Sequence, residues 1–399
     1  MANVSSSNGL EKRPRLAFRN TDGSHFPCWR QTSLSCIIEP YSEKVYGEHD
    51  YEVLTSAREG LQRQEDHFGS KQRHDTDGYN IIPFGYCTYR NRSDDGKFAF
   101  NINTISEKAI VSKFYPVFRF TNANSTFMAE FLNSSPRVKK KLSVLAVGTS
   151  QVVLSFEALK AAKFDLPCKD EQDKIAAFLE CLNARIENQR TLVVALKKYK
   201  RGVVDGIFSR KLNFSYPQTW AELEISELFM PISDKGYSDK IVLTIVQGEG
   251  TMPRDSVDRR IAYDKSTISS YKRVLPNDFI LHLRSFEGGL EIVNEEGVVS
   301  PAYTILRARN EIIPLFFYTF FRSYWFINSK LRISVEGIRD GKSINMNTFW
   351  HIKVPVPSIE EQRHISALIS SIDNRIKIAE FEYKRLLQIR VGLMQQLFI

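Results

Sequence analysis

The sequence lacks the patterns that usually identify a secreted, membrane-spanning or zinc-binding protein. Its five cysteines are odd in number and form no Cys-x-x-Cys pair, which argues against a disulfide framework and favours a reducing compartment. No run approaches the roughly 18 apolar residues that a membrane span needs, and the first residues contain no apolar stretch typical of a secretory signal. We therefore expect a cytoplasmic protein that has no membrane partner.

Motifs of catalysis and cofactor binding are also missing. No glycine-rich loop follows a predicted strand, and neither HExxH nor GxSxG occurs. The segment "GIRDGKS", residues 337–343, resembles a phosphate-binding loop, but its glycines stand one residue too close together. The seven histidines show no metal-ligand spacing. We predict a non-catalytic chain with no metal site and no bound cofactor, and keep an enzyme with an unrecognised site as a further hypothesis.

The composition is that of a globular protein with two or three domains. The chain has 399 residues, of which 42% are hydrophobic and 25% are charged. Its net charge of +9 favours a polyanionic partner. The preference is modest, because many proteins are basic without binding nucleic acid.

Most of the chain is written twice. At a constant shift of 190 residues, the segment from Pro167 to Phe208 is identical at ten positions to the segment from Pro357 to Phe398. Upstream the match is weaker but keeps its order, as in "VSKFYPVFR" and "VSPAYTILR". This repeat indicates two copies of one unit, each made of a variable globular domain followed by a long helix.

Both predicted helices carry the narrow apolar seam of a coiled coil. Their apolar residues recur at alternating steps of four and three. Both copies interrupt the seam with a basic residue at the same place, Lys200 and Arg390, and both contain a glycine, Gly202 and Gly392, that indicates close approach of another backbone or a local kink. The predicted seam residues are Ile175, Leu179, Leu182, Ile186, Val193, Leu196, Val203, Ile365, Ile369, Ile372, Ile376, Tyr383, Leu386 and Leu393.

The two helices are predicted to pair with each other. A lone helix with so narrow a stripe is marginal in water, and one chain holds both copies at high effective concentration. Similar units that pack through the same surface form a two-fold contact, which makes the helices antiparallel and puts the globular domains at opposite ends. A parallel pair, or a seam with another protein, stays open as an alternative.

The predicted fold class is α+β, with two mixed α/β globular domains separated by an antiparallel two-helix coiled coil and related by an internal pseudo-two-fold repeat. The segments "KAIVSKFYPVFRF", "RVLPNDFILHLR" and "GVVSPAYTILRA" are typical of strands, and "IPLFFYTFFRSYWFI" of a buried helix whose aromatic side chains form core. The predicted segments are a polar tail at 1–13, a first domain at 14–165, a helix at 166–210, a second domain at 211–356 and a helix at 357–399.

Basic residues are concentrated in the predicted loops and strand ends of both globular copies. Lysine and arginine suit both phosphates and guanine edges, although any one of them is more often an ordinary surface charge. Arg90 and Arg284 follow matching strands, so we expect both to contact DNA. The candidate DNA-binding residues are Arg58, Arg63, Arg73, Arg90, Arg92, Lys139, Lys140, Lys141, Arg254, Arg259, Arg260, Lys272, Arg273 and Arg284.

The repeated helices carry a family resemblance. Each opens with a hydrophobic-proline pair followed by Glu-Gln, in "LPCKDEQDKIAAFL" and "VPVPSIEEQRHISALI", and they close with "LKKYKRGVVDGIFSRKLNF" and "LLQIRVGLMQQLFI". This arrangement resembles the specificity subunit of type I restriction-modification systems over about residues 14–399. The approach "GTSQVVLS" to the first helix also resembles the family, whereas the second copy departs from it with "GIRDGKSIN".

The resemblance implies a function in which the chemistry belongs to partners. Each variable domain would be a target-recognition domain that reads one half of an asymmetric bipartite site in double-stranded DNA, and the helices would set the spacer. Modification subunits would methylate adenine N6 with S-adenosylmethionine, and restriction subunits would use ATP and Mg²⁺ to translocate and cleave DNA. The alternative is a coiled-coil scaffold whose basic domains read no sequence.

Overall fold

The computed structural model describes residues 14–69, 75–149, 151–212, 219–257, 265–282, 288–337 and 342–398. The chain forms two compact units. Unit 1 comprises residues 1–189 and 382–399, and unit 2 comprises residues 190–381. Each long helix therefore contributes one half to each unit, which the division into five consecutive segments did not anticipate.

Unit 1 is built from short strands and mostly short helices. Its strands are β1 (Arg30–Ser33), β2 (Ile38–Tyr41), β3 (Glu52–Ala57), β4 (Gly60–Arg63), β5 (Asn80–Pro83), β6 (Cys87–Tyr89), β7 (Arg92–Ser93), β8 (Phe100–Ile102), β9 (Lys108–Val111), β10 (Val117–Phe120), β11 (Val152–Val153) and β12 (Lys163–Leu166). Its helices are α1 (Gln64–Phe68), α2 (Ser125–Ser134), α3 (Pro136–Leu145), α4 (Phe156–Ala161) and the first half of α5 (Lys169–Phe208).

Unit 1 contains two four-stranded sheets. An antiparallel sheet has the order β2-β10-β6-β8, and a second sheet has the order β4-β3-β9-β5, in which β3 and β9 are parallel. Strands β1 and β12 form a separate antiparallel pair immediately before α5. Phe118, Phe127 and Phe131 are buried in the main core, because alternate strand residues and one face of α2 point inward.

Unit 2 repeats this construction. Its strands are β13 (Ala221–Glu224), β14 (Phe229–Ile232), β15 (Leu243–Val246), β16 (Gly250–Pro253), β17 (Lys272–Val274), β18 (Phe279–His282), β19 (Glu291–Ile292), β20 (Gly297–Val299), β21 (Tyr303–Ala308), β22 (Val335–Glu336), β23 (Ser343–Ile344) and β24 (Lys353–Val356). Its helices are the second half of α5, α6 (Ile225–Leu228), α7 (Pro314–Phe321), α8 (Met346–Trp350) and the first part of α9 (Ile359–Leu397), up to Phe381.

The main sheet of unit 2 corresponds to that of unit 1, whereas the second sheet of unit 1 is replaced in unit 2 by the strand pairs β15-β16 and β17-β20. Its main sheet has the order β14-β21-β18-β19, and β13 pairs with β24 immediately before α9 as β1 pairs with β12 before α5. The expected buried helix is α7, which begins at Pro314 because a proline at the first helical position loses no hydrogen bond. Phe316, Phe317, Phe320 and Phe321 are fully buried, so the aromatic segment is core as the sequence predicts.

The long helices run antiparallel within each unit. In unit 1 the first turns of α5, with Ile175 and Leu179, share a core with Leu397 and Phe398 at the end of α9. In unit 2 the end of α5 shares a core with the first turns of α9 in the same way. The predicted fold class, two mixed α/β units with an antiparallel helix pair and an internal repeat, is confirmed.

The seam positions are sheltered along both helices. Of the fourteen residues, eight are buried and six are half-buried, and those nearest the helix ends lie in the globular cores rather than between two helices alone. The half-buried residues are Leu182, Val193, Leu196, Tyr383, Leu386 and Leu393.

Two local expectations are wrong. No described backbone from another element approaches Gly202 or Gly392, because a Cβ built at either would meet no described atom within 4 Å. The segment "KAIVSKFYPVFRF" is two strands, β9 and β10, because a turn through Ser112 and Pro116 separates them. The segments "RVLPNDFILHLR" and "GVVSPAYTILRA" are divided in the same way, into β17 with β18 and β20 with β21.

Candidate nucleic-acid interface

The repeated Glu-Gln pair joins each long helix to its globular unit. In unit 1 the side chain of Gln172 is 4% exposed. Its Nε2 donates to the Pro167 carbonyl at 3.0 Å, and its Oε1 accepts from the backbone N–H of Asn124 at 2.9 Å. Asn124 caps α2 by accepting from the N–H of Phe127 at 3.0 Å. One buried amide therefore fixes α2 against the start of α5.

Unit 2 repeats this contact atom for atom. Gln362 is 1% exposed, donates to the Pro357 carbonyl at 3.0 Å and accepts from the N–H of Ile313 at 3.0 Å, immediately before α7. The residues that carried the family resemblance most clearly are thus structural. They position the variable surfaces and are too buried to bind a ligand.

The basic interruptions of the seam form ion pairs within their units. In unit 1 the Arg390 guanidinium binds both carboxylate oxygens of Glu130 at 2.8 and 2.7 Å, and its Nε donates to the Asn183 amide oxygen at 2.8 Å. In unit 2 Lys200 pairs with Asp373 at 2.6 Å. Asn183 and Asp373 are themselves related by the 190-residue shift, so the repeat extends to these partners.

Two of the candidate DNA-binding arginines are held by carboxylates of unit 1. Arg58 pairs with Asp95 at 2.8 Å, and Arg63 pairs with Glu52 at 2.8 Å. The hydroxyl of Ser93 and then the neighbouring N–H and Arg58 stabilise the Asp95 carboxylate and lower its pKa to about 2. Both arginines would have to exchange a carboxylate for a phosphate in order to bind DNA.

Helix α3 presents a lysine-rich face. Lys139 and Lys140 are exposed, because the helix buries only its apolar residues Val138 and Leu142. Lys141 is also exposed, but its ammonium group donates to the Lys163 carbonyl at 2.5 Å and lies 5.1 Å from the ring centroid of Phe164. Lys139 and Lys140 are therefore better placed for phosphates than Lys141.

A second exposed positive group of unit 1 lies beside the turn between β9 and β10. We name Arg90, Arg92, Lys113 and Phe114 the turn cluster. All four side chains are exposed. The guanidinium carbon of Arg92 lies 5.2 Å, and the Lys113 ammonium nitrogen 5.7 Å, from the centroid of the Phe114 ring. Arg90 follows β6 and acts electrostatically on the adjacent Tyr115.

The backbone of this turn is held from below by buried side chains. The Asn80 amide, 9% exposed, donates to the carbonyls of Ser112, Lys113 and Tyr115 at 3.5, 3.3 and 2.9 Å. The fully buried Thr88 hydroxyl donates to the Pro116 carbonyl at 2.8 Å. The turn cluster is thus mounted on a fixed backbone.

In unit 2 the described candidates are largely engaged in internal contacts. Arg273 binds Glu296 at 2.8 Å and lies 4.7 Å from the ring centroid of Tyr237. Lys272 donates to the Tyr303 carbonyl at 2.7 Å, and burial lowers the pKa of its ammonium group. Arg254 is half-buried in a short 3-10 turn, Arg254–Ser256. Four candidates from the two units lie outside the described residues: Arg73 of unit 1, and Arg259, Arg260 and Arg284 of unit 2.

Sequence reasoning missed two members of the turn cluster, Lys113 and Phe114. The signal was present in "SKFYP", where a lysine and an aromatic residue precede a proline between two apolar runs. Such a proline favours an extended or turn conformation in the residue before it, so the strand reading hid an exposed loop.

Each unit also contains a surface cavity beside its seam interruption. The cavity of unit 1 measures about 530 Å³ and is lined by Arg58, Lys97, Lys139, Glu130 and Arg390 among others. The cavity of unit 2 measures about 430 Å³ and lies beside Lys200 and Asp373.

Within the part of the chain that the structure describes, no group of three or more His, Cys, Asp and Glu side chains could hold a metal ion. Over the same residues, no helix is both long enough and apolar enough to cross a membrane.

The construction defines a class: two unlike globular units on one repeated pair of helices. The family model of the type I restriction modification DNA specificity domain matches residues 40–196 and 217–388. Because these matches cover most of the chain, the chain belongs to the type I restriction-modification DNA specificity family, as the resemblance predicted.

Curated relatives agree in family but align over part of their length. The MjaX and MjaVIII type I restriction enzyme specificity subunits of Methanocaldococcus jannaschii are each 24% identical to this chain, over 224 and 215 residues. Each alignment covers 52% of this chain and 51% or 47% of the relative. The chain therefore spans about half the length of the curated relatives it matches.

Solved structures agree with the fold along nearly the whole chain. The S subunit of a type I restriction-modification system from M. genitalium has a TM-score of 0.55 and 18% identity, with 97% of this chain and 99% of that chain covered. A chain from a study of complex assembly and conformational transition of the type I system has a TM-score of 0.57 and 16% identity, with 93% and 97% covered.

Proposed function

We propose that this chain is the non-catalytic, DNA-reading subunit of a type I restriction-modification complex. Each unit reads one half of an asymmetric bipartite site in double-stranded DNA, and the paired helices set the spacer between the halves. Adenine N6 methylation with S-adenosylmethionine, and ATP- and Mg²⁺-dependent cleavage, belong to partner modification and restriction subunits.

The observation that carries this proposal is the contrast between the repeated part of the two units and their unlike surfaces. The repeated part, which we name the frame, consists of the helices α5 and α9 and the contacts of Gln172 and Gln362 that join these helices to the globular parts. The anchors at Gln172 and Gln362 repeat atom for atom. The exposed turn between β9 and β10 carries Lys113 and Phe114, whereas the corresponding exposed turn of unit 2, between β20 and β21, carries Pro301 and Ala302. A repeated frame that presents two different surfaces suits a reader of two different half-sites. A homodimer, in contrast, would read a palindrome.

The helix length suits a spacer. Each helix has about 40 residues and is roughly 60 Å long at 1.5 Å per residue. Half-sites one turn of DNA apart are separated by roughly 34 Å on one face of the duplex. Helices of this length exceed that separation, which supports their role in setting the spacer.

Partner subunits have apolar surface available on the long helices. Val194, Tyr199, Ile378 and Phe381 in unit 2 are each more than half exposed, as is Val391 in unit 1. Exposed apolar side chains on a helix favour the docking of another helix. This supports modification and restriction subunits as partners that bind along α5 and α9.

The test is a map of methylation. The chain would be expressed with the modification subunit encoded beside its gene, in a host free of adenine methylation, and N6-methyladenine would be located by long-read sequencing. We expect one bipartite asymmetric motif with a fixed spacer, lost when this chain is omitted. As a control, the modification subunit alone should leave the genome unmethylated.

The outcomes separate the competing hypotheses. A soluble complex that methylates no motif and binds DNA without sequence preference would contradict the proposal and favour the scaffold alternative. Methylation or cleavage by this chain alone would contradict its non-catalytic role. A palindromic motif would contradict the assignment of different half-sites to the two units.

A further inference from the structure

The Phe114 ring is an exposed apolar surface placed between positive charges. It is 52% exposed, and the guanidinium carbon of Arg92 and the ammonium nitrogen of Lys113 lie 5.2 and 5.7 Å from its centroid. Contacts of two flexible cations with one ring at the surface stabilise a fold only slightly. The arrangement is therefore poorly explained by stability and calls for an external ligand.

The ring is presented rigidly. The Asn80 amide binds three carbonyls of the turn, and the buried Thr88 hydroxyl binds the Pro116 carbonyl. A side chain on a fixed backbone loses little freedom when it binds, which favours affinity.

The charge around the ring selects the class of ligand. Arg90, Arg92 and Lys113 are all exposed on this face. The nearest acidic residues in sequence, Asp94 and Asp95, are already bound, the first by the Gln151 amide at 3.0 Å and the second by Arg58 at 2.8 Å. An anionic ligand with flat apolar faces fits both features, and nucleic acid has them, since phosphates flank stacked bases.

We propose that Phe114 inserts at a base step of double-stranded DNA within the half-site read by unit 1, while Arg92 and Lys113 bind the phosphates on either side. A phenyl ring has no hydrogen-bonding group, so it acts as a wedge that partly unstacks the step. Selectivity then comes from how easily that step deforms. This inference rests on the proposed function and names a contact that carries it.

The wedge is tested with 2-aminopurine, whose fluorescence rises when it is unstacked. The probe replaces each adenine in turn, on either strand of a duplex that carries the mapped methylation motif. With the full chain we expect a rise at one step in only one half of the motif. Phe114→Ala should abolish that rise and weaken binding roughly 5- to 100-fold, the range for loss of one base-stacking aromatic. Phe114→Tyr should keep the rise.

Phe84→Ala is the matched control. Phe84 is 61% exposed and lies at the other end of β9, where its N–H donates to the Glu107 carbonyl at 2.8 Å. We expect this variant to behave as the unchanged chain, and both alanine variants to keep the same melting temperature. The wedge is overturned if no position brightens, or if Phe114→Ala and Phe84→Ala bind alike. A methylation motif that still depends on this chain would then leave the proposed function standing.

The phosphate contacts are tested by salt dependence on a random-sequence duplex. Arg92→Gln and Lys113→Gln should each reduce the slope of log affinity against log salt by about 0.9. Lys108→Gln is the control, because Lys108 is exposed on the same strand β9 but faces Glu43 at 3.9 Å, and should leave the slope unchanged. Unchanged slopes for Arg92 and Lys113, with loss of modification-subunit binding instead, would assign the turn cluster to a protein partner and overturn the proposal.

Discussion

Unit 1 and unit 2 share a frame and differ in what they build at its edges. After α2, unit 1 continues into α3, with Lys139 and Lys140 exposed. After α7, unit 2 continues instead into a π-helical turn, Phe326–Lys330, and a 3-10 turn in which Ile333 is 68% exposed. The order of the main four-stranded sheet is the same in both units. The comparison teaches that the frame tolerates replacement of surface segments, as a reader of variable sequences requires.

The ion pairs at the two seam interruptions also differ between the units. Arg390 is tied to Glu130, whose side chain is 16% exposed, whereas Lys200 and Asp373 are each about one third exposed. The Arg390 guanidinium binds both oxygens of the Glu130 carboxylate and also the Asn183 amide oxygen, and its planar, fixed set of donors loses less freedom for each hydrogen bond than a flexible ammonium group does. The position is shared, but unit 1 depends on its ion pair more than unit 2 does.

The largest effect expected from breaking the shared frame is at the two glutamines. Gln172→Leu leaves the Pro167 carbonyl and the Asn124 N–H without their partner at a buried site, and Gln362→Leu does the same in unit 2. Each unsatisfied group costs about 1–3 kcal/mol, so we expect each variant to lose about 2–4 kcal/mol. Hydrogen exchange followed by mass spectrometry should show the loss in the substituted unit.

The exposed Gln395 gives the control for that experiment. Gln395→Leu should change protection in neither unit by more than about 0.5 kcal/mol. If only one of the two buried glutamines mattered, the two anchors would not be equivalent, and the comparison of the units would have to be redrawn.

The second test uses the seam interruptions. Arg390→Met leaves the Glu130 carboxylate in a mostly buried place without its cation, and we expect a loss of about 2 kcal/mol. Lys200→Met breaks a pair that water already screens, so the loss should stay below about 1 kcal/mol. Methionine preserves helix propensity in both variants. Urea unfolding monitored by unit-resolved exchange should rank them, and an equal or reversed ranking would refute the difference proposed between the units.

The third test compares an exposed cation with an engaged one. Arg90→Gln should lower the salt slope of DNA binding by about 0.9, as expected for loss of one phosphate contact. Arg273→Gln, whose guanidinium is bound by Glu296 at 2.8 Å, should leave the slope unchanged. Fluorescence anisotropy with a labelled duplex measures both. An altered slope for Arg273→Gln would mean that its ion pair opens to bind DNA.

The smallest expected effect is a gain in stability. At Gly202 and Gly392 an added Cβ meets no described atom within 4 Å, so Gly202→Ala and Gly392→Ala should each stabilise the helix by up to about 1 kcal/mol. Thermal unfolding of the isolated chain would show it. A loss in the isolated chain would indicate that these glycines do allow a close approach.

The frame could be predicted from sequence because its signals are local or periodic. Heptad spacing and an exact shift of 190 residues identify the two helices and their fourteen sheltered positions without knowledge of the fold. The core character of the segment that begins at Pro314 followed from its aromatic content. Each of these signals can be read within a single stretch of chain.

The recognition surface could be predicted only in part, because it depends on residues distant in sequence. Whether an arginine is exposed to a ligand or held within the fold depends on partners such as Asp95 for Arg58 and Glu296 for Arg273, 37 and 23 residues away. The turn that presents Phe114 depends on Asn80 from another strand. No periodicity links such residues. The predicted DNA-binding residues therefore include both exposed cations and cations that are held by contacts within the fold.

We have proposed that each unit reads one half-site and that the helices set the spacer, and a paired deletion in the two helices tests this proposal. Residues 188–194 and 378–384 are deleted together, which removes one heptad from each helix and keeps the phase of both seams. The frame shortens by roughly 10 Å, or about three base pairs. We expect a methylation motif with the same two half-sites and a spacer shorter by about three base pairs. The same spacer, or altered half-sites, would contradict it.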